Sequence, residues 1–444
     1  MPYSAPSPLG GHALLAFLCA VGLLLLAALL LGRLADRFGL PAVSGELCAG
    51  VLVGPSVLGH LAPGAYRWLL PPRAEQAHLV DAVGQIGVLM LVGMTGAELD
   101  RGLVRRRGAA AVRVAVAGLV IPLGLGIAAG YLAPRPLLPS GTDRTLFALF
   151  AGVAMAVSAL PVIAKTLGDM GLLYRDFAQL TIAAGVVDDI AGWLLLSLIS
   201  AAGAAGLHWR VVDRELLWLA ALILVAATAG RVAARRAMAA AGRSRDPGPA
   251  VAVAAVLITG CAAATQSVGL EASFGAFVGG LLLGGAAPAD LRRVEPLRAA
   301  VNAVFAPLFF ATAGLRLDLA LLGRPAVLLS ALAALAVAVL GKFSGAFLGG
   351  RASRLDGWES LALGAGMNAR GVIQLIVASV GLRLGILNTT AYTVLVLVAV
   401  ATSLMAPPIL RVAERRIAHT EQEEARRLRM AALREPAASP GAKR

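Results

Sequence analysis

The stretch Ala183-Ala184-Gly185-Val186-Val187-Asp188-Asp189-Ile190-Ala191-Gly192-Trp193 decides how this chain is read. Apolar and small residues precede the two aspartates, and Leu194 to Ile199 follow them. Two adjacent carboxylates therefore sit mid-way along a run long enough to span a bilayer. Each is costly to ionise in low dielectric, and such residues face a cavity or a partner. Successive helix residues are about 100° apart, so the two can face different neighbours on one side of the helix. They titrate as a coupled pair, not as independent acids. A site that holds either a small cation or protons fits all of this. The bland alternative, both residues at a helix end, is opposed by the apolar flanks.

The rest of the chain is of the same kind. It has 444 residues, 59% hydrophobic and 14% charged, whereas a soluble domain carries about 25% charged residues. Thirteen apolar segments are predicted, near 10–31, 41–59, 79–98, 109–132, 145–168, 178–203, 214–235, 250–268, 272–285, 299–315, 325–349, 358–382 and 389–410. The first lacks a basic leader and a small-residue cleavage site, so it reads as a retained helix. The expectation is an all-α membrane protein.

The net charge of +14 follows topology. Connections on one side hold 19 Lys and Arg, those on the other hold nine, and the tail after 410 adds nine to the richer side. The positive-inside rule then puts the N-terminus outside and the tail in the cytoplasm. A nucleic-acid-binding protein would not show this alternation. Two cations are left over, Lys342 and Arg370, each deep within an apolar segment. The cysteines Cys19, Cys48 and Cys261 and the five histidines show no paired or metal-ligand spacing. Neither a disulfide framework, a zinc site nor a cofactor is expected.

Only three lysines stand against 36 arginines. Lysine can lose its proton when buried and arginine in practice cannot. Lys342, in Gly341-Lys342-Phe343-Ser344-Gly345, is expected to pair with one aspartate and release it when a cation binds. The alternative is a lysine snorkelling to the surface. In Val157-Ser158-Ala159-Leu160-Pro161, Pro161 has no N–H and frees the carbonyl of Val157. A mid-membrane break there exposes oxygens that can coordinate a cation, and Ser158 adds a hydroxyl; an ordinary proline kink is the alternative. Gly364 to Gln374 carries glycines and Asn368, which weaken the helix and point to a second break. Arg370 either offsets the negative end of a broken half-helix or lies at a cytoplasmic helix end.

A weak internal repeat joins the halves. Gly96-Ala97-Glu98-Leu99-Asp100 matches Gly314-Leu315-Arg316-Leu317-Asp318, and Gly50-Val51-Leu52-Val53-Gly54 matches Gly280-Leu281-Leu282-Leu283-Gly284. Six segments, a linking segment and six more would invert the second half on the first, as secondary transporters do. The tail beyond 410 is charged and Ala-rich, with a short helix and then a disordered stretch expected.

Together these residues resemble the monovalent cation:proton antiporter family, in its cation/proton exchanger branch. Pro41 to Ser56 is similar to the second-helix signature, Ser158-Ala159-Leu160-Pro161-Val162 to the first broken helix, Val187-Asp188-Asp189 to the ion-binding pair, and Met367-Asn368-Ala369-Arg370-Gly371 to the second broken helix. The resemblance implies a multi-pass protein of the cell (inner or plasma) membrane, a homodimer, with about 13 helices and two crossed discontinuous helices. It places a transmembrane unit at 1–413 and a largely disordered cytoplasmic tail at 414–444. Within the former, a dimerisation part spans about 9–100 and 250–318, a core part about 108–203 and 325–413, and a linking helix about 214–237. It makes Asp189 the main ligand of a transported Na+ or K+ and the proton carrier, with Asp188 and Ser158 beside it and Asp188 paired to Lys342. It implies alternating access, and two aspartates lean towards electrogenic exchange. Gln374 departs from the glutamate common there, and no nucleotide-binding domain fits into so short a tail. A transporter, not an enzyme, is expected. The rivals are a non-transporting sensor of this fold, an organic-anion symporter, and an intramembrane aspartyl protease, whose two acids lie on different helices.

Overall fold

The computed structural model describes residues 10–71, 74–98, 101–205 and 209–434. These are helical, with no strand among the described residues. The helices that frame the site are α1 (Gly11–Arg37), α2 (Ala42–Val53), α3 (Ala74–Ala97), α4 (Arg101–Leu132), α5 (Arg144–Ala156), α6 (Leu160–Asp169) and α7 (Asp176–Ala205). The next, α8 (Trp209–Val225), continues through a π-helical turn to Ala241. Then follow α9 (Gly248–Ser267), α10 (Ala272–Leu283), α11 (Ala306–Gly314), α12 (Pro325–Ala352), α13 (Gly357–Met367), α14 (Val372–Arg383), α15 (Thr389–Glu414) and α16 (Glu421–Arg434).

Ten of the described helices are long and apolar enough to cross a membrane, and α13 with α14 makes an eleventh crossing bent by 43°. This differs from thirteen full spans. Segment 145–168 is split into α5 and α6, and segment 272–285 is the twelve-residue α10. Local chemistry fixes several starts. Asp143 caps α5 by accepting from the Thr145 amide at 2.8 Å. Asp356 and Glu359 form a capping box at α13, and Asn388 caps α15 through the Ala391 amide at 2.9 Å.

The helices carrying Asp188, Asp189 and Lys342 share neighbours. Helix α4 packs against α5, α7 and α12, and α12 against α13 and α15. A second set joins α1, α2 and α11, and α3, α9 and α10. The repeat glycines sit at close crossings of this second set. A methyl on Gly50 of α2 would strike the backbone at Ala311 and Gly314 of α11, and one on Gly280 of α10 would strike the backbone at Gly93 and Ala97 of α3. Each motif of one half thus meets the complementary motif of the other, as a two-fold relation between halves requires. The repeat's Leu99 and Asp100 lie outside the described residues.

A short helix stands in the tail, where one was expected. Residues 421–434 form α16, while 435–444 lie outside the described residues.

These crossings give a first prediction. Gly280→Ala should destabilise the protein by about 1–3 kcal/mol, because backbone must move to admit the methyl. Gly124→Ala, on an open face of α4 with nothing within 4 Å, should be neutral or stabilising. Thermal melting in detergent reads both, and equal melting temperatures would refute the crossing.

Candidate functional site

Asp188 and Asp189 lie mid-way along α7, both fully buried. Lys342, mid-way along α12, is fully buried as well, which removes the snorkelling alternative. Its Nζ donates to both Asp188 oxygens, at 3.0 and 2.9 Å, and to the Ala156 carbonyl at 2.5 Å. Asp188 Oδ2 also accepts from the Ser158 amide at 2.9 Å. Asp189 is held differently. Its Oδ1 accepts from the Leu160 amide across 3.4 Å, and its Oδ2 meets no hydrogen-bond donor among the described residues.

Two interruptions of the chain meet at this point. Helix α5 ends at Ala156; Val157 is extended, with φ −75° and ψ 134°, and α6 restarts at Leu160 with Pro161 as its second residue. Helix α13 ends at Met367, and α14 restarts after Gly371. The interruptions are tied to one another. Ser158 Oγ donates to the Met367 carbonyl at 2.7 Å, and the Ala159 amide donates to the Ala369 carbonyl at 3.2 Å. A methyl on Gly371 would collide with the Val162 side chain of α6, so a small residue is needed where α14 begins.

The electrostatics follow from these ends. The start of α6 presents amides to both carboxylates, and a helix N-terminus favours negative charge. The end of α5 presents free carbonyls, and two cations take them. Lys342 takes Ala156, while Arg370 takes Ala154 at 2.9 Å, Met155, and Ala338 of α12 at 3.2 Å. Arg370 is fully buried, so it offsets the negative end of the other broken helix and does not mark a surface helix end. The filled carbonyls lie just before the Val157 oxygen expected from the sequence. Ser403 of α15 donates to the Arg370 carbonyl; one hydroxyl among several in an apolar segment gave only a faint signal of that. Gln374 Nε2 donates to the Leu395 carbonyl at 3.1 Å, a bond that an ionised glutamate could not make. Buried Asn368 has no hydrogen-bond partner for either side-chain polar atom among the described residues. The Pro161 side chain lies outside the described ones.

The described residues contain no cluster of three His, Cys, Asp or Glu suited to a resident metal ion. What they contain is a carboxylate with a free oxygen, a paired neighbour, and a helix break whose amides meet both and which is tied to a second break. That defines the class: a membrane transporter with a site built on discontinuous helices.

The comparisons narrow the class to a family. Residues 23–413 match the model of the family described as "Sodium/hydrogen exchanger, transmembrane", and the chain belongs to this family. It is 29% identical over 402 residues to the Na(+)/H(+) antiporter NhaS4 of Synechocystis sp., covering 90% of this chain and 97% of that protein. It is 28% identical over 399 residues to the Na(+)/H(+)-K(+) antiporter GerN of Bacillus cereus, covering 89% and 95%. Against the Cation/H(+) antiporter 17 of Arabidopsis thaliana identity is 29% over 409 residues, 90% of this chain but only 48% of that longer protein. The fold is similar to the solved structure of the sodium proton antiporter MjNhaP1 from Methanocaldococcus jannaschii, with a TM-score of 0.61 at 17% identity over 90% of this chain and 97% of that one.

The ion pair supplies a second prediction. Asp188→Ala leaves Lys342 buried without its carboxylate and should cost about 3–5 kcal/mol. Combining it with Lys342→Met should recover most of that loss. Melting curves of the two single variants and the double variant in detergent test it; additive losses would show that the pair is not a coupled unit.

Proposed function

We propose that this chain is a secondary antiporter that exchanges a monovalent cation, Na+ or K+, for protons by alternating access, and that the exchange is electrogenic. One observation carries the reading: of two adjacent buried carboxylates, Asp188 is fully paired and Asp189 keeps an oxygen without a donor. A buried carboxylate in that state needs a proton or a cation beside it. Asp189 is then the residue at which the two compete.

Asp188 and Lys342 make the second half of the cycle. A cation bound at Asp189 adds positive charge next to the ion pair and favours loss of a proton from Lys342, which frees Asp188 as a second ligand. Ser158, held at the crossing, and the amide oxygen of Asn368 are the neutral ligands the crossing offers. When the cation leaves, one proton returns to Asp189 and one to Lys342. More than one proton per cation moves charge, hence the expected current. The relatives' names point to Na+ and K+ as the cations.

The division into a dimerisation part (about 9–100 and 250–318) and a core part (about 108–203 and 325–413) belongs to the same proposal. The core would carry the site past the other part, with the tail in the cytoplasm and the chain paired as a homodimer. The two packing sets described above support that division.

Proteoliposomes with an entrapped pH dye test the site, with NaCl or KCl added outside. Asp189→Asn is expected to abolish cation-driven pH change, and wild-type rates in that variant would overturn the assignment. On a solid-supported membrane a Na+ or K+ gradient should evoke a current in the wild type. Lys342→Ala should keep exchange but lose the sustained current, because one proton exchanged for one cation moves no net charge. Exchange with no wild-type current would leave antiport standing and remove electrogenicity.

A further inference from the structure

Among the described residues, one fully buried arginine lies outside the ion site: Arg175, in the turn between α6 and α7. Its Nη2 donates to the carbonyls of Ile417 and Ala418 at 2.9 and 3.3 Å, and its Nε faces Glu423 Oε1 at 3.6 Å. Its Nη1 lies 2.6 Å from Nδ1 of His419. The tail is seated on this turn by further bonds. Glu423 Oε1 accepts from the Asp176 amide at 2.6 Å, and Arg426 donates to the Tyr174 carbonyl at 2.5 Å and to Asp176 Oδ1 at 3.1 Å. Ile417 is buried in one apolar cluster with Leu167 of α6 and Leu172 of the turn. The tail therefore holds the segment that joins the half-helix beside Asp189 to the helix that carries it.

A guanidinium has donors and no acceptor, so a hydrogen bond between Arg175 and His419 requires the lone pair of Nδ1. The charged and titratable groups around the ring are few. Arg175 lies at Nδ1, Tyr174 stacks on the ring at 6.2 Å between centroids, and Glu414 Oε1 lies 4.0 Å from Nε2. Arg427 lies over the other ring, 5.8 Å from the Tyr174 centroid, and Glu423 faces Arg175 Nε. The His419 side chain is half-exposed, so a proton can reach it. A proton on Nδ1 would remove the acceptor and set two cations against each other; Glu414, beyond the opposite nitrogen, does not lie between them.

We infer that Arg175, His419 and Glu423 form a second, regulatory proton site, separate from the aspartates, at which the neutral imidazole latches the tail helix α16 to the α6–α7 turn and protonation releases it. A proton on Nδ1 takes the lone pair that accepts from Arg175, so the latch responds to acidification. Release slackens the support of α6 and lowers the transport rate. That last consequence rests on the antiport reading; the latch itself does not.

Hydrogen exchange on the full chain in nanodiscs, expressed as protection factors over 172–176 and 417–428, tests the latch. In the wild type, protection should fall about tenfold or more from near pH 8 to near pH 5.5, the loss expected for one charge-assisted hydrogen bond. His419→Gln keeps an acceptor for Arg175 at both pH values, so its protection should change by less than about twofold. His419→Lys carries the charge at both and should show the lowered protection of the acidified wild type at both. PH-independent protection in the wild type, or wild-type protection of His419→Lys near pH 8, would overturn the inference. In proteoliposomes, His419→Gln should move the acid limb of the transport profile to lower pH. Protection data as expected in a chain that exchanges no cations would preserve the latch and defeat the antiport reading.

Discussion

A charge buried in a membrane protein has to be met by another charge, by hydrogen bonds or by a proton. This chain meets that requirement for Asp188 and leaves half of it open for Asp189. Asp188 receives Lys342 and the Ser158 amide, whereas Asp189 receives one long bond from Leu160. The surrounding architecture supplies the donors. An unbroken helix has already used its amides and carbonyls, so it could offer neither the Ser158 and Leu160 amides nor the Ala154, Met155 and Ala156 carbonyls. The interruptions make those groups free, and the two interruptions are stitched to each other so that their geometry holds.

The same balance explains why the two buried cations differ in kind. Arg370 lies on three carbonyls and serves as a fixed counter-charge to the end of α5 and a brace to α12. Its guanidinium is charged under all ordinary conditions. Lys342 touches a carboxylate, and an ammonium can give up its proton when the local charge changes. A guanidinium that stays charged and an ammonium that can lose its proton thus sit on adjoining carbonyls of one helix end. An arginine at position 342 would hold Asp188 permanently.

Much of this was legible in the sequence because charge in an apolar run has no neutral explanation. Asp188, Asp189, Lys342 and Arg370 stood out by position alone, and Pro161 and the glycines of 364–371 marked where helix would fail. Other features left no such mark. Which aspartate Lys342 would meet depends on the rotation of α7 against α12, and residue spacing does not set that. The roles of the Ala154, Met155 and Ala156 carbonyls are backbone properties shared by every residue type. Arg175 was one of the 19 cations counted in connections, and its polar partners come from the returning tail, which residue spacing does not reveal. Of the thirteen segments, ten described helices and one bent pair have the length of a span, while α5 and α10 are shorter apolar helices, and apolar composition alone does not set that length.

The measurement closest to the central claim is proton release on cation binding. Purified protein in lightly buffered detergent, at alkaline pH and with a pH-sensitive dye, is titrated with NaCl or KCl against choline chloride. The wild type should release protons as the cation binds, and Asp189→Asn should release markedly fewer. Cation binding without proton release, or equal release by the wild type and Asp189→Asn, would contradict competition between cation and proton at Asp189.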